Sequence, residues 1–138
     1  MIDISSLILA IQKLEDFLRL STSQPSDSPF KQALDTACVQ AFEYTYELSH
    51  KMLKRYLEEI EPNKEDVDSL SFQDLIRVGF ERDLLKHSWQ QWKIFRELRN
   101  KTSHTYNEEF VQEILAELDS FLIDVNFLKD KINERQGH

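Results

Sequence analysis

Two glycines and three prolines in 138 residues leave this chain few means of making tight turns. An all-β domain needs turns every few residues, and those turns draw heavily on glycine and proline. Sandwiches and barrels are therefore excluded, and so is a glycine-rich loop that cradles a nucleotide phosphate. Hydrophobic residues make up 41% of the chain and aromatics 11%, enough for a genuine core. The length suits a single domain over residues 1–138, at roughly 100–200 residues per domain.

Apolar residues recur at helical spacing. Leu7, Ile8, Ile11, Leu14 and Leu18 share one face of a first helix, Asp3 to Ser21. A polar loop follows, and Ser28-Pro29 restarts the chain with a capping residue and a proline suited to the first helical position. The second helix runs from Pro29 to about Glu61, with a stripe of Leu34, Cys38, Phe42, Thr45, Leu48, Met52, Tyr56 and Ile60. At 1.5 Å per residue it measures about 48 Å, long enough to suggest a kink or a protruding end. Glu65 to Asp68 is expected to be a solvated loop. Ser71 opens a short third helix, which Gly79 is expected to close in the left-handed conformation. The fourth helix spans about Arg82 to Thr102. The fifth starts at Asn107 and carries the stripe Val111, Ile114, Leu118, Phe121, Leu122, Val125, Leu128 and Ile132. No segment alternates as a strand does. The expectation is an all-α, antiparallel up-down bundle of four to five helices.

Most chemistry is excluded by what the sequence lacks. Cys38 is alone, which rules out an intrachain disulfide, and its neighbours read as a buried helical thiol. The start of the chain has no basic signal-peptide region, and no apolar run approaches the ~18 residues that span a bilayer, so a cytoplasmic location without membrane attachment is expected. His50, His87, His104 and His138 are scattered, so neither a metal site nor any cofactor is expected. Glu43 and Glu47, one turn apart, read as a solvated face or as partners for a basic residue.

Charge marks the informative segment. The chain carries a net −8, yet Lys86 to His104 carries +4, beside Trp89, Trp92 and Phe95. A basic helix with aromatic neighbours suits phosphates, although the aromatics equally suit a core with the bases on its wet side. Within it lies Arg99-Asn100-Lys101-Thr102-Ser103-His104-Thr105-Tyr106. An arginine fork can stabilise a charged phosphorane, and a histidine can move a proton to or from an RNA 2′-hydroxyl or leaving oxygen. On an unbroken helix Arg99 and His104 would face apart, so the helix must end near Thr102 for them to converge. The spacing alone is weak, since Arg82 and His87 repeat it without the ending His-x-Tyr.

The full string RNKTSHTY resembles the R-x4-H-x-Y motif of HEPN-domain proteins, especially the HepT-like branch known as nucleotidyltransferase substrate-binding proteins. The likeness extends to Phe42-Glu43 through Tyr46-Glu47-Leu48 and to Trp92, seven residues before Arg99. It implies an antiparallel helical bundle forming a two-fold homodimer, with the motifs facing a shared cleft. It also implies a cognate minimal nucleotidyltransferase as partner and RNA as substrate. In active members the dimer is a metal-independent ribonuclease and a toxin, and the partner acts as antitoxin by transferring AMP to the motif tyrosine. Carried over, Arg99 and His104 are the catalytic pair, Asn100 and Ser103 supporting polar groups, and Tyr106 the AMP acceptor. Two alternatives remain. The chain is a non-catalytic binding subunit of the nucleotidyltransferase, or it is a structural dimer in which Arg99 only pairs with Glu43 or Glu47.

Overall fold

In the computed structural model, which describes residues 1–137, the described chain forms six helices and no strand. His138, one of the four scattered histidines, lies outside the described residues.

Helix α1, Ser5–Ser23, runs against α2, Pro29–Ile60. Their antiparallel register is pinned at both ends. The amino group of Met1 pairs with Glu59 at the far end of α2. Ser21, at the end of α1, donates to the buried Asp35 near the start of α2. The same carboxylate accepts from Lys31 at 2.9 Å and from Gln112 at 3.4 Å. Ser28 caps α2 by accepting from the Phe30 amide, with Pro29 behind it. The helix is continuous, and its buried positions reach from Asp35 to Leu57.

The chain then crosses the end of the bundle in two short helices. Glu65 to Asp68, expected as a solvated loop, belong to the one-turn helix α3, Lys64–Asp68. Asn63 accepts from the Glu65 amide, Glu65 and Asp66 favour the first turn, and Val67 is buried. Helix α4, Phe72–Glu81, starts as expected at Ser71, which accepts from the Asp74 amide. It does not close on Gly79. That glycine is helical and buried, and a Cβ there would meet Leu53 and Leu85 side-chain atoms at 3.1 Å. The left-handed residue is Asp83, with φ 57°.

Residues 82–88 therefore leave the helix, and α5 is shorter than expected, Trp89–Arg99 rather than Arg82 to Thr102. The physical reason lies in α6, Glu108–Arg135. Asp124 of α6 is fully buried. It accepts from the backbone amides of Lys86 and His87 at 2.6 and 3.3 Å, and from the Trp92 indole at 2.5 Å. Amides held by a carboxylate are not free to join a helical ladder. Burial pushes the Asp124 carboxyl above its ordinary value, against the pull of these donors.

Helix α5 runs antiparallel to both α2 and α6. Its start meets Asp124 and Tyr46, and its end meets Glu113 and Glu43. The four long elements thus alternate up and down, α1, α2, α5, α6. Phe42, Trp92, Phe95 and Phe121 meet edge-to-face at the centre, with ring separations of 4.8–6.1 Å among the contacting pairs. One contiguous apolar core extends from Ile4 to Ile132. Of the expected α1 face, Leu7, Ile11 and Leu14 are buried, whereas Ile8 is 38% exposed. Among the described residues no helix is long and apolar enough to cross a membrane.

Candidate functional site

The segment RNKTSHTY straddles the break between α5 and α6. Helix α5 ends at Arg99, with Asn100 as its C-cap residue. The buried Thr102 donates its hydroxyl to the Arg99 carbonyl at 2.8 Å and satisfies one of the orphan acceptors of the helix end. Two further turns follow, His104 N–H to the Lys101 carbonyl and Asn107 N–H to the His104 carbonyl, both at 3.0 Å. Asn107 then caps α6 by accepting from the amides of Glu109 and Phe110. The helix therefore ends before His104, the condition under which Arg99 and His104 could share a face.

The motif side chains fall into two groups. His104 Nδ1 lies 3.1 Å from the Tyr106 hydroxyl. The imidazole also stands edge-on to Phe110, with ring centroids 5.8 Å apart. Tyr106 itself is 84% exposed. Arg99 instead turns to α2. Its Nε donates to Glu47 at 2.7 Å, and Nη2 lies 3.5 Å from Glu43. The Glu47 hydrogen bond raises the arginine pKa further, so the guanidinium is permanently charged. Glu47 takes the Nε hydrogen, while Glu43 stands too far for a strong bond to Nη2. The Nη edge keeps donors for a phosphate. Arg99 and His104 make no hydrogen bond to one another, and Asn100 and Ser103 are exposed.

Of the two readings open for Glu43 and Glu47, the partner of a basic residue is the one realised, and that residue is Arg99. Lys101 is held by Glu113 at 2.5 Å and lies over the Phe110 ring. The second copy of the spacing is absorbed elsewhere. Arg82 pairs with Glu61, and His87 Nδ1 lies 3.4 Å from Asp124. Among the described residues no group of three or more His, Cys, Asp or Glu side chains is placed to hold a metal ion. Cys38 is buried, and that burial pushes its thiol up to about 11. It is an inert core residue rather than a nucleophile.

Sequence reasoning missed two buried carboxylates that tie the helices together, Asp35 and Asp124. Both were readable in principle, because each is an acid at a core position of a helical stripe. Asp124 lies three residues after Phe121 and four before Leu128, and Asp35 three before Cys38.

The chain has known relatives. The chain is 35% identical over 105 residues to the probable ribonuclease HepT of Haemophilus influenzae, covering 76% of this chain and 71% of that protein. Its structure superposes on a solved Haemophilus influenzae protein that shows the fold of a substrate binding domain of a nucleotidyltransferase. The TM-score is 0.84 at 31% identity, over 95% of this chain and 99% of the other. The family model for "nucleotidyltransferase substrate binding protein like" matches residues 2–134, and the chain belongs to that family.

Proposed function

We propose that this chain is the HEPN subunit of a two-component toxin–antitoxin module. In this reading it is a single domain that forms a homodimer, cleaves RNA without a metal, and is silenced when a cognate minimal nucleotidyltransferase transfers AMP to Tyr106. The observation that carries the reading is the His104–Tyr106 contact at the helix break, in the same segment as an arginine whose Nη edge stands 3.5 Å from Glu43 and keeps donors. The relative named as a probable ribonuclease supports it.

The chemistry follows from the side chains. With Nδ1–H donating to the Tyr106 oxygen, Nε2 of His104 is the nitrogen left for substrate. As a base it takes the proton of an RNA 2′-hydroxyl, and the 2′-oxygen attacks the adjacent phosphorus. The bond to the 5′-oxygen breaks, leaving a 2′,3′-cyclic phosphate. That leaving oxygen needs a proton from the opposite side, which the His104 of a second copy, protonated, supplies across a two-fold cleft. Arg99 steadies the extra charge on the phosphorane, and Asn100 and Ser103 are the supporting polar groups at its rim. In the silencing step the Tyr106 oxygen attacks the α-phosphorus of ATP and expels pyrophosphate, and its proton passes to a base or to solvent. The product sets a negative phosphodiester where RNA must enter.

Purified, unmodified protein in EDTA is expected to cleave RNA, and prior treatment with the nucleotidyltransferase and ATP is expected to stop it. Tyr106→Phe should still cleave and escape silencing. Cleavage that requires an added divalent metal would overturn the reading. A second reading is favoured by the Arg99–Glu47 pair, which partly neutralises the arginine. The chain then acts as a non-catalytic binding subunit that forms a stable complex with the nucleotidyltransferase and leaves RNA intact.

A further inference from the structure

Arg96 of α5 is held over an aromatic ring rather than by a carboxylate. Arg99, Lys101 and Lys54 each have a carboxylate partner, whereas Arg96, like Lys93 one turn before it on α5, has none among the described residues. It is nevertheless not a loose surface side chain. Its guanidinium lies over the Phe72 ring, 5.5 Å from the centroid. Phe72 is buttressed by Tyr46 and His50 of α2 and by Trp89 of α5, with centroids 5.9, 4.8 and 5.8 Å away. A planar cation is thus held in place with its donor edge open to solvent. In a protein of net charge −8 that is a site short of an anion.

The surroundings suit a nucleotide rather than a free ion. Arg96 lies one turn before Arg99 on α5, about 4.5 Å along the axis. Trp89 lies two turns further back. It is half-buried and lines a surface depression of about 500 Å³ together with Arg77, Phe80, Glu81, Ser88 and Gln90. Phe80 is 44% exposed. Two aromatic faces with amide and hydroxyl groups between them offer stacking and hydrogen bonds to a base. From Trp89 to Arg99 the track is about 15 Å long. His50, facing the same ring, is kept mostly neutral by its burial, so it adds a neutral hydrogen-bonding group rather than a second fixed charge.

We propose that α5 is a track for single-stranded RNA, on which Arg96 binds the backbone phosphate next to the one at Arg99 and His104, and the Trp89–Phe80 depression receives a base. The proposal rests on the ribonuclease reading for the identity of its ligand. Arg96 and Trp89 are positioning residues, since neither touches the reacting atoms.

The test uses a short fluorescent oligoribonucleotide with methylated 2′-hydroxyls, which cannot be cleaved by 2′-oxygen attack. Its binding is read by anisotropy across a salt series, and cleavage of ordinary RNA is measured in parallel. Arg96→Ala is expected to weaken binding about tenfold or more and to lower the salt slope by about one. Arg96→Lys should recover part of the loss. Trp89 fluorescence should quench on binding, and cleavage by Arg96→Ala should show a raised KM with kcat largely kept. A wild type that cleaves RNA, with Arg96→Ala binding and cleaving equally well, overturns the track and leaves the ribonuclease reading intact. Arg96-dependent binding by a wild type that cleaves nothing upholds the track and defeats the ribonuclease reading. A variant that loses only the nucleotidyltransferase partner makes this a protein-docking face and overturns the proposal.

Discussion

At the scale of single residues, the Arg99–Glu47 pair decides between a structural and a chemical role for the motif. The arginine side chain is 34% exposed and its two acidic partners 51% and 41%. An ion pair that open to water contributes about 0–1 kcal/mol. Arg99→Ala should therefore barely move the urea midpoint, yet lower the cleavage rate about a hundredfold or more if Arg99 stabilises the phosphorane. A large loss of stability with unchanged RNA chemistry would instead make the pair structural. His50 gives a second prediction. Its burial against Phe72 lowers its pKa in the folded state below the ordinary histidine value of about 6.5. The neutral ring favours the fold, so this contribution is present above pH 6.5 and is lost as pH falls through the lowered value. Urea unfolding should show stability dropping from pH 7 toward 5, and His50→Phe should flatten that slope. The motif residues were legible as a string, because Arg99, His104 and Tyr106 are adjacent in sequence. That Glu47 would hold Arg99 was only one of the open readings, since the contact joins residues 52 apart.

At the scale of elements, the helices were legible where apolar periodicity sets them and illegible where a distant polar group does. The stripe of α6 holds nearly position for position, from Val111 to Ile132. The start of α5 does not, because Asp124, on another helix, captures the amides of Lys86 and His87. Nothing local in residues 82–88 announces that capture. Gly79 misled for a related reason. Its smallness serves a close approach to Leu53 and Leu85, and Asp83 takes the left-handed turn. Asp124→Asn keeps an acceptor for the two amides but turns an N–H₂ toward the Trp92 indole or toward them. It should cost about 1–3 kcal/mol in urea unfolding, the penalty for an unmade buried hydrogen bond. An unchanged midpoint would show that the carboxylate does not fix the start of α5. The break before His104, by contrast, was foreseen from Thr102-Ser103 and the cap at Asn107, and both polar devices are local.

At the scale of the whole molecule, the up-down topology followed from four long amphipathic segments and short connections, and the family's solved relative has the same fold. The proposed function depends at this scale on a second copy. One His104 cannot stand on both sides of an in-line displacement, so the proposed chemistry requires two chains. Light scattering at micromolar concentration should give about twice the 16.4 kDa chain mass. A monomer that still cleaved RNA would remove the composite cleft. The proposed phosphate contacts of Arg96 and Arg99 also predict RNA binding that weakens as salt rises, because each contact releases counterions from the RNA. The most direct test of the central claim compares unmodified wild type with His104→Ala on RNA in EDTA, with the product ends identified. Metal-free wild-type cleavage leaving 2′,3′-cyclic phosphates, lost in His104→Ala, is the result predicted. Equal cleavage by both proteins, or ends of another kind, would contradict it.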